Sequence, residues 1–182
     1  MKLSYILKYI KGITIYTKVP VYNLNWLKKT SFYDKILNGS TITLIDVGAR
    51  NVSVEELAPL QKHIRYIGFD ADVNEVQRLN SKENGFKESQ FIPSYVGRKN
   101  SFVKFGIHYA GGNSSIFPFG KIYNKWFRSG DENYIKKFVE LKSSSLDELI
   151  NENVDVIKLD TQGSEYEILK DAKNCLNSAM MV

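Results

Sequence analysis

Thr41 to Val52 read TITLIDVGARNV, and the fold turns on how this stretch is divided. Thr41–Val47 is a β-branched, apolar run of the length of a buried strand. Asp46 closes it, and Gly48 supplies a tight turn that other residues enter at a cost. Ser53 to His63 then has the character of a helix, with Glu55 and Glu56 in its first turn, where the helix dipole favours acids. Strand, acid, glycine turn and helix make a βα unit.

The same grammar repeats along the chain. Ile64–Phe69 (IRYIGF) is a second strand and Asp72 to Asn80 a second helix. Gln90–Tyr95 is a third strand, and Ser101–His108 a further extended piece. A loop-like stretch rich in glycine, serine and aromatics runs from Ala110 to about Asp131. Ser145 to Ile150 is a short helix, with Ser145 as N-cap and Glu148 three residues on, the spacing of a capping box. Val154–Leu159 is a strand, Ser164 to Leu176 a helix with Ile168, Leu169, Ala172 and Leu176 on one face, and Ala179–Val182 opens another strand. Such alternation implies an α/β, Rossmann-like fold: a mostly parallel sheet with helices on both faces. In these sheets ligands bind at the carboxyl ends of the strands, beside the switch point. Chemistry is therefore expected just after Ile45, Phe69 and Leu159.

Charge divides the chain in two. The whole carries +5, but residues 1–40 hold seven lysines against Asp34 alone, and residues 41–182 hold 18 basic and 19 acidic groups. The basicity belongs to an N-terminal extension, and the body, residues 41–182, is nearly neutral. A nucleic-acid-binding core carries its own basic face, so no nucleic-acid partner is expected. The run from Leu3 to Ile15 is broken by Lys8 and Lys11, so it is neither a signal-peptide core nor a span of about 20 apolar residues. Leu3, Ile6, Leu7, Ile10 and Ile13 recur at helical spacing, fitting a helix packed on the body or a basic helix lying on anionic lipid. A second helix is expected from Asn23 to Leu37, ended by Asn38-Gly39-Ser40. The lone Cys175 excludes an intramolecular disulfide and a cysteine-rich zinc site. A reducing compartment follows, hence a cytoplasmic location with peripheral membrane contact through the basic helix as an option.

The strand ends define a ligand. Gly48 permits close backbone approach, the helix start after it attracts an anionic group, and Asp46 suits an amine. Asp70 ends the second strand 22 residues after Gly48, where an acid accepts hydrogen bonds from two ribose hydroxyls. Asp72 fits the cap of the next helix better. A dinucleotide needs two or three glycines in the first loop to admit its diphosphate, and this loop has only Gly48. That disfavours an NAD-dependent oxidoreductase and favours S-adenosylmethionine, with an amino acid at one end and a ribose at the other. At the last strand end Asp160 closes the strand, Gly163 turns the chain, and Glu165 sits in the first helical turn.

IDVGAR, GFDAD, SSSLDELI and IKLDTQGSEYEILKDA together resemble the FkbM-type methyltransferases over residues 41–182. That family has a D-V-G-A-N-x-G loop, an acidic second-strand end, an sLDel helix and an IKlD-x-(Q/E)-G-x-E-x-x-x-L segment. The resemblance implies a class I methyltransferase fold, S-adenosyl-L-methionine as cofactor, and methyl transfer to a hydroxyl, often on a sugar. By it, Asp46, Gly48, Ala49, Asp70, Ala71 and Ser94 are expected to bind the cofactor, and Asp160, Gln162, Gly163 and Glu165 to line the reaction centre. Arg50 departs from the family's usual Asn and Val52 from its usual Gly, a side chain that crowds the cofactor. The resemblance also implies more sheet, with an antiparallel hairpin, than the chain reaches by Val182, so a C-terminally truncated domain is expected.

A neutral sugar hydroxyl is a poor nucleophile, so a general base or a metal is expected. Asp160 leads as base, Glu165 follows, and His108 is a third candidate; no metal site is assigned. Both carboxylates also fit a structural role, holding backbone N–H groups at a helix start. Residues 108–131 form the expected acceptor-side lid. Asn113, Ser114 and Ser115, with Gln162, would hydrogen-bond the acceptor, a glycan or small molecule, and Phe117, Phe119, Tyr123 and Trp126 would stack on it; a satellite hydrophobic cluster is the alternative. A catalytically impaired relative acting as a binding module is the competing function.

Overall fold

The computed structural model describes residues 30–50, 55–109, 111–117 and 135–182. The expected helix at Leu3–Ile13, the loop position of Val52, and most of the expected lid lie outside them. The chain divides between Asn38 and Gly39 into two units. In the first, α1 (Thr30–Leu37) ends where Asn38 and Gly39 take φ of 44° and 86°, the left-handed conformation that stops a helix.

The second unit is built on β1 (Ile42–Val47), β2 (Ile64–Asp70), β3 (Glu88–Pro93) and β7 (Val156–Leu159), all parallel, in the order β3-β2-β1-β7. The order reverses beside β1, which makes the β1/β7 boundary the switch point. Register brings the strands to a common end: Val47 stands opposite both Phe69 and Leu159. Met181 makes one isolated parallel bridge to Val156 where a further strand is expected.

Each face of the sheet buries its own cluster, as the period of two along a strand requires. Ile45, Val47, Ile67, Phe69 and Ile157 face α3 (Leu146–Leu149), α4 (Glu165–Lys170) and α5 (Lys173–Ser178) through Leu146, Ile168 and Cys175. Leu44, Ile64, Tyr66 and Phe91 face α2 (Val73–Asn80) through Val76 and Leu79, with Leu57 and Leu60 beside them. A fully buried Leu, Ile or Phe contributes about 1.5–3 kcal/mol, against about 1 kcal/mol for a helix cap. The two faces hold the sheet; the caps position its helices.

Three expectations change. The helix at Ser53–His63 is a 3-10 helix over Glu55–His63 with Pro59 inside it, a residue that cannot donate an α-helical bond. The helix at Ser164–Leu176 is two helices, α4 and α5. The carboxylate of Asp147 accepts the backbone N–H groups of Asn174 and Cys175 at 2.9 and 3.0 Å, so a second helix starts there. Thirdly, β6 (Ile135–Ser144) was not expected at all. It lies between β4 (Tyr95–Val96) and β5 (Ser101–His108), parallel to the first and antiparallel to the second, in a separate three-stranded sheet. The Ser145 helix is as expected: Glu148 accepts the Ser145 backbone N–H at 3.0 Å.

Burial pushes the Asp147 carboxyl up, but its backbone N–H donors outweigh this and hold it below the usual carboxylate range. Such a group stabilises the fold above its unfolded-state pKa, and the contribution is lost as pH falls through the folded one. Asp147→Ala should cost about 1 kcal/mol at neutral pH by urea unfolding. The gap to the wild type should close in acid, and a gap independent of pH would refute the cap.

Candidate active site

The strands' common end is held by a contact that only glycine allows. Gly48 has φ 87°, and a Cβ there would stand 2.1 Å from the Asp160 carbonyl oxygen. Asp160 returns a backbone N–H to the Val47 carbonyl at 2.9 Å, so the ends of β1 and β7 are tied directly. On the other side the N–H groups of Gly48 and Ala49 both go to the Phe69 carbonyl, at 2.9 and 3.0 Å. These two amides are therefore spent on the fold, and neither is left to bind an anion.

A cavity of about 450 Å³ opens over this junction. Its floor comes from the strand ends: Gly48, Asp70, Ala71, Ser94 and Asp160. Arg50, Asp72, Gly111, Gly112 and Ser114 border it, and the second sheet adds a wall of Phe105, Ile107, Val139 and Leu141. The volume falls within the roughly 300–1,000 Å³ of small-molecule sites.

Asp70 reaches this cavity as expected, with its Oδ1 accepting the Asp72 N–H at 2.7 Å. Burial pushes its carboxyl pKa up, against the pull of that N–H and of Arg50. Asp72 caps α2 through the N–H of Asn74, at 3.0 Å. The Asp160 side chain is exposed on the cavity wall, and among the described residues no hydrogen bond or ion pair engages its carboxylate. Gln162 also lines the cavity, in the left-handed region at φ 58°.

Other expected residues have different work. Asp46, 2% exposed, points to the Leu44 face of the sheet, away from the cavity. It accepts hydrogen bonds from the Tyr66 hydroxyl and from Lys158 Nζ, the latter at 2.8 Å. Burial, then the charge of Asp46, drives the Tyr66 phenol pKa upward, which keeps it a donor. Ala49, 1% exposed, packs in the core cluster on that same face. Glu165 accepts the backbone N–H groups of Thr161 and Gly163 at 3.0 and 3.2 Å. Burial raises its pKa, but its own backbone N–H together with these two amides outweighs this and holds the carboxyl low. It is a positioning residue that fixes the turn carrying Asp160. His108 is 2% exposed and stands outside the cavity lining.

Within the expected lid, Ser114 lines the cavity, whereas Ser115 is buried and fastens the loop. Its hydroxyl donates to the Gln162 carbonyl at 3.0 Å and accepts the Phe117 N–H at 3.0 Å. The other end of the loop is held by Arg50, which reaches the Gly111 carbonyl at 3.2 Å and Asp72 at 3.1 Å. Arg50 thus joins three strand-end loops. The side chains of Asn113, Phe119, Tyr123 and Trp126 are outside the described residues.

Sequence reasoning missed Lys136 and Lys137, which border the cavity from β6. The signal was available in the alternation of Ile135, Val139, Leu141 and Ser143, inward-facing positions of one strand.

Gly48→Ala should destabilise the domain by more than about 2 kcal/mol, since a strained φ adds to a backbone clash. A urea midpoint within error of the wild type would show that the junction yields easily.

Comparison with known proteins agrees with this geometry. Neither the curated proteins nor the solved structures gave a match. A model of the methyltransferase FkbM domain matches residues 46–180, most of the chain and all of the parallel sheet except the first four residues of β1. The chain belongs to the FkbM methyltransferase family.

Proposed function

We propose that this methyltransferase uses S-adenosylmethionine and transfers the methyl group to a hydroxyl of a sugar or glycan-related acceptor. One observation carries the reading: the carboxyl ends of β1, β2 and β7 share a cavity with Gly48, Asp70 and Asp160 on its wall. The residues present fit the cofactor. Asp70 would accept the ribose hydroxyls. Val73, Tyr95 and Val96 supply apolar surface for a flat base. Arg50, where the family usually has Asn, puts a guanidinium on the wall for the methionine carboxylate, a task the spent amides of Gly48 and Ala49 cannot perform. Three carboxylates, Asp70, Asp72 and Asp160, favour a ligand that also carries positive charge.

When bound, the cofactor supplies a methyl group on a sulfonium, open to in-line attack by an oxygen. The chain's part is alignment of the acceptor and removal of its proton. Alignment of reacting groups is worth several kcal/mol of barrier. Asp160, uncommitted and at the strand end, takes the hydroxyl proton; positioned general bases contribute about 10²–10⁴-fold in rate. Glu165 keeps Asp160 in place by holding the turn after it.

Calorimetric titration of the full chain with S-adenosylmethionine tests the cofactor. Binding in the micromolar range is expected, weakened about tenfold or more by Asp70→Asn, the scale of a lost charged hydrogen bond. No heat with the wild type, or the same affinity in the variant, would overturn the assignment. Asp160→Asn should lower kcat by about 10²–10⁴-fold; an unchanged kcat would remove Asp160 as the base.

Peripheral membrane contact through the lysines of residues 1–40 is also proposed, on charge alone. Among the described residues no helix is long and apolar enough to cross a membrane. Pelleting with anionic vesicles should therefore depend on residues 1–40, and equal pelleting without them would refute the contact.

A further inference from the structure

We propose that the acceptor is anionic, a sugar or similar small molecule bearing a carboxylate or phosphate, and that Lys136 and Lys137 hold its charge. The inference rests on the cavity being the methyl-transfer site. It starts from the way charge is divided on the cavity wall. The strand ends contribute Asp70, Asp72 and Asp160, and the one cation among them, Arg50, is paired with Asp72. The second sheet contributes Lys136 and Lys137 and no acid to the described lining. A cationic cofactor is drawn to the strand ends. The second-sheet side repels a cation and attracts an anion.

Consecutive residues of a regular strand point to opposite faces, so two adjacent lysines should not share one cavity. They do so because the ladder slips here. Lys137 stands opposite Ile107 and Ile135 opposite His108, which leaves Lys136 as an extra residue in β6. Bulges of this kind re-aim a side chain and gather beside active sites. Lysines also guard exposed sheet edges, and β4 covers β6 only at Ser143 and Ser144; what sets Lys136 and Lys137 apart is their place on the cavity lining.

Both ammonium groups are uncommitted to acids: among the described residues neither makes an ion pair. The cationic contact of Lys136 is with the Tyr109 ring, 6.0 Å from its centroid. Lys137 shares its strand face with Val139 and Leu141, and Phe105 and Ile107 line the cavity with them. Charges beside such low-dielectric walls focus their field into the cleft. An ammonium is a point charge without the fork geometry of arginine, so a carboxylate and a phosphate are both accommodated.

The test uses matched sugars and the full chain: glucose, glucuronic acid and glucose 6-phosphate, with binding read by ligand-observed NMR in the presence of S-adenosylmethionine. Either anionic sugar should bind about tenfold or more tightly than glucose, the preference should fall as salt screens it, and the two anionic arms separate carboxylate from phosphate. The double variant Lys136→Gln, Lys137→Gln should lose the preference, and Lys136→Arg, Lys137→Arg should keep it. Equal affinity for neutral and anionic sugars, including no binding of any of them at tens of millimolar, would overturn the proposal. So would a preference that survives in the glutamine variant with its thermal melt intact. Cofactor binding without an anion preference defeats this inference alone, whereas absence of cofactor binding defeats the methyl-transfer reading itself.

Discussion

Gly48 meets the Asp160 carbonyl where β1 and β7 end, at a separation that leaves no room for a side chain. Because β1 lies between β2 and β7, this contact fixes three strand ends at one level. Asp70 then stands on one side of the glycine turn and Asp160 on the other. Two further ties make a floor of these loops. Arg50 binds the first loop to Asp72 and to Gly111, and Glu165 closes the turn behind Asp160. A side chain at position 48 would part β1 from β7 and separate the two carboxylates that give the cavity its chemistry.

Several acids near the site differ in purpose according to which backbone groups they meet. Asp46, Asp72, Asp147 and Glu165 are spent on a buried phenol, a lysine and helix or turn amides. Asp160 stands on the cavity, and among the described residues nothing in the fold engages its carboxylate, the freedom that a general base requires. Sequence spacing alone cannot draw the distinction, since Asp160 and Glu165 are five residues apart in the same motif.

The parts legible in the sequence were those set by local chemistry. The runs of β1 and β2 and the Ser145–Glu148 box all form where apolar spacing and capping place them. Asp70 lines the cavity because it is the last residue of a buried strand. Misreadings came from distant partners. Asp147, far along the chain, starts α5 and splits a helix whose apolar face looks continuous. The pleat turns Asp46 toward Tyr66 although it sits beside the turn. β6 hid because Phe138, an apolar residue, sits among its outward positions and its bulge breaks the alternation at Lys136, the residue that the bulge delivers to the cavity.

The central claim is that the junction of β1, β2 and β7 is where S-adenosylmethionine binds. Backbone amide chemical shifts recorded during titration of the isotope-labelled chain test it directly. The expected result is a set of shifts centred on Gly48, Asp70 to Asp72, Ser94 and Asp160 to Gln162, with the outer positions of the second sheet, such as Phe102 and Phe138, unmoved. Shifts centred elsewhere, or none at saturating cofactor, would contradict it.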